Sequence, residues 1–192
     1  MSAQPTVRSA RYDELDAVGE LTVQAYLADG RMDRADPYVT QLRDAAGRAR
    51  DAELLVAADD TDRLLGTVTV CEPGSPLHEV SQPGELEFRM LAVTPAARGR
   101  GIGGLLTRAV LDRAAQRGAR RVVLSSSEWM HAAHRLYTRL GFSRLPERDW
   151  RPVPGLQLIA FGLAPGQLTG SGESSTPEQC VRESGWLTGR DQ

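Results

Sequence analysis

Arg98-Gly99-Arg100-Gly101-Ile102-Gly103-Gly104 stands between an apolar run and a helix-forming stretch. The first N–H groups of a helix have no internal partner, and the helix dipole adds partial positive charge at that end. Glycines at 99, 101, 103 and 104 let oxygens approach the backbone, and Arg98 and Arg100 add charge without a metal, so the turn suits a phosphate or pyrophosphate. Glu85 and Glu87 lie two apart on a predicted strand leading to Leu91, hence on one face. Either could serve as a general base, directly or through water; otherwise they face solvent at a sheet edge. His131 and His134 stand three apart with no third ligand and no His-Glu motif, so no metal site is predicted.

The spacing Gly99-x-Gly101-x-x-Gly104 also matches the dinucleotide-binding fingerprint, and Glu128 falls about 20 residues on, where a ribose ligand belongs. That fold needs its first glycine close behind the strand, in a unit opening a series of βαβ repeats. Here Thr94-Pro95-Ala96-Ala97-Arg98 intervenes after Val93, and hairpin-like strands come before. The nucleoside-triphosphatase loop lacks its Lys.

The elements that must hold these residues follow from periodicity. Thr6 to Ala10 reads as a strand, Asp13 as the N-cap of a helix with Leu15, Val18, Leu21 and Tyr26 at helical spacing, and Pro37 as the start of a second helix. Residues 53–58 and 64–70 form a hairpin, 72–84 a loop, and 85–93 a strand. The glycine turn opens a helix ending near Gly118; residues 121–125 form a strand, and 131–140 a helix closed by Gly141. Two last strands run from Ser143 and over Leu156–Leu163. Residues 1–164 are expected to form one domain and 165–192 a flexible tail, with a short helix from Pro177 to Glu183.

Composition narrows the class. With 192 residues, 41% hydrophobic and 25% charged, the chain has enough apolar surface for one packed core. No apolar run reaches the roughly 20 residues of a membrane span, and the polar start has no signal-peptide pattern, so a cytoplasmic protein without membrane contact is expected. Cys71 and Cys180 have no partner motif, which predicts neither disulfide nor zinc. All 23 cationic side chains are Arg, and neither Lys nor Asn occurs, the pattern of a GC-rich genome rather than of functional choice. The net charge of −2 conceals −8 over residues 1–97 (17 acids, 9 Arg) and +8 over 98–151 (4 acids, 12 Arg). Such asymmetry suits a protein holding an anionic and a cationic ligand together, or reflects solvated helix faces. Dispersed Arg with few interleaved aromatics disfavours nucleic acid.

Two motifs resemble the GNAT superfamily of N-acetyltransferases. Leu91-Ala92-Val93-Thr94-Pro95 followed by Arg98-x-x-Gly101-x-Gly103 is similar to the family's acyl-CoA motif, and Ala133 to Phe142 resembles its later helix with the Tyr-x-x-x-Gly-Phe pattern. The element order extends the likeness over residues 6–163. The resemblance implies an α/β (α+β) fold: a mixed, mostly antiparallel central sheet of about seven strands flanked by about four helices. It implies acetyl-CoA as co-substrate, backbone of Leu91, Ala92 and Val93 on the pantetheine and facing the thioester oxygen, and Gly99 to Gly104 on the pyrophosphate. It also sets Tyr137 near the thioester sulfur, where its phenol can protonate the leaving thiolate. The acceptor is then an amine, mostly protonated at neutral pH, whose proton Glu85, Glu87 or water takes. Asp29, Asp33 and Asp36, in the region resembling the acceptor-side wall, favour a cationic amine or simply form a polar loop. Met130 occupies the position where many members bond the pantetheine through Asn, leaving Ser126 or Ser127 as nearby donors. Trp129 and Trp150 line the acceptor pocket or pack in the core, and Arg144, Arg148 and Arg151 meet the nucleotide or face water. A homodimer is common in such proteins. The alternative to an enzyme is a catalytically weak acyl-CoA sensor of the same fold.

Overall fold

Glu53–Ala58 (β2) and Leu64–Cys71 (β3) are apolar almost without interruption, as strands covered on both faces must be. In the computed structural model, which describes residues 4–164, they lie inside one eight-stranded sheet. The expected tail, its short helix and Cys180 lie outside the described residues. The other strands are Thr6–Ser9 (β1), Glu85–Val93 (β4), Arg121–Ser127 (β5), Ser143–Arg144 (β6), Trp150–Val153 (β7) and Leu156–Leu163 (β8). Their spatial order is β1-β2-β3-β4-β5-β8-β6, with β7 also on β8; only β4 and β5 pair in parallel.

Alternation along β2 sorts the two layers. Leu54 and Val56 pack with Leu15, Val18 and Ala45, on Leu15–Leu27 (α1) and Ala45–Asp51 (α3). Leu55 and Ala57 join Ile102, Leu106, Val110 and Ala114 of Ile102–Gln116 (α4) and Tyr137 of His131–Arg139 (α5). A further short helix, Tyr38–Arg43 (α2), buries Val39 and Leu42 against Val23 and Met90.

The architecture is the mixed, mostly antiparallel one expected, with two additions. The second early helix divides into α2 and α3 at Asp44, which leaves helical geometry (φ −73°, ψ 67°) and accepts a hydrogen bond from the Gly47 N–H at 2.7 Å. The two last strands are three, because the chain reverses at Gly155 (φ +85°) and sets β7 beside β8. α1 is entered through a 3₁₀ turn, Tyr12–Glu14, rather than capped by Asp13. The stops fall where glycine allows them: Gly118 (φ +65°) follows α4 and Gly141 (φ +91°) follows α5.

The feature that makes a site is in β4. Thr67 opposes Ala92 while Thr69 opposes Arg89, so β4 carries one surplus residue, and Met90 adopts φ +52°, rare for a side chain with a Cβ. β4 pairs with β5 only over Glu85–Glu87, and beyond it the two strands part. The bulge also changes the facing of the strand. Leu86 and Phe88 before it, and Leu91 and Val93 after it, pack in the α4/α5 layer, whereas Met90 and Ala92 pack toward α1 and α2.

Candidate active site

The gap between β4 and β5 is a cavity of about 740 Å³ lined from both faces of the sheet. Phe88, Leu124, Ser126 and Tyr137 reach it from the α4/α5 layer; Tyr26, Tyr38, Glu79, Arg89 and Ser125 reach it from the other. Trp129 and Met130 line it too, and the β7–β8 hairpin contributes Pro152, Val153 and Leu156.

At the end of β4 the glycine turn supplies an anion cradle. Gly99 (φ +76°) and Gly101 (φ +80°) are left-handed, and a Cβ on either would meet nothing within 4 Å, so the space before them is open. Among the described residues, the N–H groups of Gly99, Gly101, Ile102, Gly103 and Gly104 make no hydrogen bond, and the first helical closure at this end is Leu105 N–H to Gly101 at 3.0 Å. Converging N–H groups at a helix start attract an anion. Ile102 itself is a core residue whose side chain anchors α4, and Gly103 and Gly104 give Leu136 of α5 room to pack. Arg100 is exposed beside the cradle. Arg98 is otherwise engaged: its guanidinium donates to Asp29 Oδ1 and to the Ala25 carbonyl, each at 2.7 Å, and so holds the end of α1.

Beyond the bulge, Leu91, Ala92 and Val93 have no β5 partner, so one backbone edge borders the gap. Leu91 lines the cavity. Ser126 and Ser127, the two hydroxyls near Met130, both line the cavity, and that of Ser126 is buried without a hydrogen-bond partner among the described residues.

Tyr137 is 4% exposed and its ring packs edge-on or tilted against Phe88, Phe142 and Phe161 at 5.7–5.9 Å. Its hydroxyl makes no hydrogen bond among the described residues, and burial raises its pKa, which keeps the phenol protonated. His134, one turn away, is lowered by burial. Among the described residues no group of three His, Cys, Asp or Glu could hold a metal ion.

The two predicted carboxylates share a face but neither lines the cavity nor meets solvent. Glu85, 2% exposed, is clasped by Arg148 at 2.6 and 3.1 Å and accepts from the Gln82 N–H at 2.9 Å. Burial pushes its carboxyl up, but Arg148 and the Gln82 N–H outweigh that and leave it lowered. Glu87, fully buried, accepts three backbone N–H bonds on Oε2, from Glu79, Val80 and Ser81, at 2.9 Å each. What covers them is the 72–84 loop, joined over Glu85 by Arg148 of the 146–148 turn, and strand periodicity reveals neither.

That loop brings in a carboxylate the sequence reading passed over. Glu79 lines the cavity, pairs with Arg89, and accepts from the Ser125 hydroxyl at 3.4 Å. Burial pushes its carboxyl above the ordinary range, against the pull of Arg89. Tyr26 and Tyr38, 6.3 Å apart, form an opposite wall, both raised chiefly by burial. Of the early acids, Asp29 and Asp36 line the cavity and Asp33 does not. Asp29 faces Arg98, Asp33 accepts from the Ala35 N–H at 2.7 Å, and Asp36 from the Tyr38 N–H at 2.8 Å. Arg144 is bound to Asp149 at 2.6 Å and Arg151 to Gln157 at 2.7 Å.

Comparison with known proteins agrees with this geometry. The family model described as the acetyltransferase (GNAT) family matches residues 16–142. An uncharacterised N-acetyltransferase of Schizosaccharomyces pombe is 30% identical over 111 residues, 58% of this chain and 64% of that protein. N-alpha-acetyltransferase 30 of the same yeast is 37% identical over 94 residues, 48% of this chain and 59% of that protein. The matches thus span less than two thirds of these relatives. The YncA protein of Salmonella typhimurium, solved with its cofactor acetyl-CoA, superposes with a TM-score of 0.60 at 22% identity, covering 93% of this chain and all of that one (100%).

Proposed function

Since the chain belongs to the GNAT family of acetyltransferases, we propose that it transfers the acetyl group of acetyl-CoA to a primary amine by direct attack on the thioester. The observation that carries this reading is one continuous cavity bordered by a free β4 edge, a protonated Tyr137 and Asp36 on the acceptor wall, with the N–H cradle at the end of the same strand.

Acetyl-CoA supplies an activated acyl thioester. The N–H groups of Gly99 and Gly101–Gly104 hold its pyrophosphate, aided by Arg100. The edge of Leu91, Ala92 and Val93 and the Ser126 hydroxyl take the pantetheine amides, and an N–H of that edge steadies the negative charge that develops on the carbonyl oxygen. Tyr137 donates its phenolic proton to the departing sulfur and recovers one from the newly acylated nitrogen. Asp36 at the acceptor side favours a cationic amine, while Asp29 on the same wall is neutralised by Arg98. No metal enters this scheme, since a phenol and backbone dipoles cover each developing charge.

The test is release of free thiol from acetyl-CoA across a panel of small amines, peptides with free N-termini and lysine derivatives, with acetyl-CoA affinity measured by calorimetry. Turnover with any amine supports the enzyme. Tight acetyl-CoA binding with silence across the panel supports the sensor of the same fold, for which Met130 on the cavity wall is the motive.

A further inference from the structure

We infer that Glu79, held on the cavity wall by Arg89 and Ser125, accepts the proton of the attacking ammonium, and that Glu87 is a positioning residue acting through it. The inference rests on the acetyltransferase reading and assigns its unassigned base.

Three observations lead here. First, Glu79 is the one Glu side chain among the described cavity-lining residues; Glu85 and Glu87, on the strand where a base was expected, do not reach the cavity. Second, its carboxylate is aimed. Arg89, 12% exposed, pairs with Glu79 and donates to the Leu77 carbonyl at 2.7 Å, bracketing the loop just before Glu79, while Ser125 of β5 reaches it from across the gap. Third, its backbone is fixed. A buried carboxylate receiving three N–H bonds is a costly device unless the segment it pins matters, and the first of those N–H groups is Glu79's own.

The proton balance closes. The ammonium gives one proton to the Glu79 carboxylate, which later releases it to solvent. The neutral nitrogen forms its bond to the acyl carbon and the C–S bond breaks. The sulfur receives a proton from Tyr137, and the surplus proton on the acylated nitrogen restores the phenol. An ammonium and a thioester become an amide, a thiol and one solvent proton.

Acid pH must silence this base by protonating it. Arg89 of β4 and the Ser125 hydroxyl of β5 touch Glu79, and the charges of Glu87 on β4, Tyr38 on α2 and Cys71 on β3 couple to it. Burial raises the Glu79 carboxyl, Arg89 lowers it and Glu87 raises it again. The acidic limb of acceptor kcat/KM is therefore shifted upward from where an ordinary carboxylate sets it.

The experiment compares wild type, Glu79→Gln, Glu79→Asp, Glu87→Gln and the exposed-loop control Glu72→Gln. The acceptors are tyramine, spermidine, Nα-acetyl-lysine amide and an alanine-initiated peptide, from pH 5.5 to 10, with acetyl-CoA affinity and melting temperature alongside. Glu79→Gln is expected to lower acceptor kcat/KM about a hundredfold at pH 7. The deficit narrows toward pH 10 as the neutral fraction of the amine grows, most of all for the alanine-initiated peptide, and acetyl-CoA affinity stays unchanged. Glu79→Asp recovers part of the rate. Glu87→Gln loosens the backbone that carries Glu79 and so lowers acceptor kcat, and by removing a neighbouring negative charge it also moves the acidic limb to lower pH; Glu72→Gln moves neither. A folded Glu79→Gln within threefold of an active wild type at every pH overturns this assignment alone. A wild type that binds acetyl-CoA but acetylates none of the four removes both it and the reading beneath it.

Discussion

Replacing Gly101 by Ala separates ligand binding from folding at the cradle. A Cβ at Gly101 meets nothing within 4 Å, so the substitution creates no clash. What it costs is conformational: at φ +80° an L side chain is disfavoured by roughly 1–2 kcal/mol. For a protein of this size that corresponds to a drop of roughly 2–8 °C in melting temperature. The binding effect is larger. Alanine either stays left-handed, placing a methyl in the space where phosphate oxygens approach, or relaxes and turns the N–H groups of Ile102 and Gly103 away. Losing one hydrogen bond to a charged oxygen is worth about 1.5–3 kcal/mol, so acetyl-CoA affinity should fall roughly 10- to 150-fold. Calorimetric titration of acetyl-CoA beside thermal unfolding reads both numbers. A folded Gly101→Ala protein with wild-type affinity would falsify the cradle as the pyrophosphate site.

Tyr137→Phe keeps the ring and its aromatic neighbours, so melting temperature and acetyl-CoA affinity should hold while kcat falls about a hundredfold; equal turnover removes the general acid. Gly66→Ala sets a methyl 2.7 Å from the Ala92 carbonyl and 3.1 Å from Ile102 and Leu106, and should cost about 1–3 kcal/mol of stability by urea unfolding, even though Gly66 touches no ligand. Arg148→Ala removes the guanidinium that clasps the buried Glu85 carboxylate and leaves it Arg121 at 3.6 Å and the Gln82 N–H, with an expected loss of about 1.5–3 kcal/mol at pH 7. Because Glu85 is held below its ordinary pKa, the pair's contribution is complete above that ordinary value of about 4.3 and fades as pH falls through the lower folded value. The gap between Arg148→Ala and wild type should therefore shrink in denaturation at pH 3 and stay constant between pH 6 and 8.

Local chemistry was the legible part. Apolar runs announced β2 and β5, glycine stops announced the ends of α4 and α5, and the free N–H groups of the cradle follow from four glycines at a helix start. Each needs only residues close in sequence. What stayed hidden depends on residues that meet across the chain. Two carboxylates two apart on β4 must share a face, but whether water or protein covers that face is decided by a loop with no periodicity of its own and by an arginine 63 residues on. Arg98 looked like phosphate charge because its partner Asp29 is 69 residues away. Glu79 sat unremarked in a Pro- and Gly-containing loop, since nothing in its neighbours signals that Arg89 and Ser125 converge on it. The division of β7 from β8 likewise turned on one glycine, Gly155.

The surplus residue in β4 makes the length of that strand a matter of parity. Before Met90 the odd-numbered positions Glu85, Glu87 and Arg89 share one side; from Met90 on, the even-numbered Met90 and Ala92 occupy the α1/α2 side. Deleting any one residue between Arg89 and Ala92 would restore an unbroken ladder with β3 and, in doing so, reverse one half of the strand. Either Glu85, Glu87 and Arg89 would turn into the apolar layer beneath α4, or Leu91 and Val93 would leave it. Chain length here is thus read by the fold in units of one residue, and an insertion or deletion in this window is a frameshift of faces rather than a change of loop.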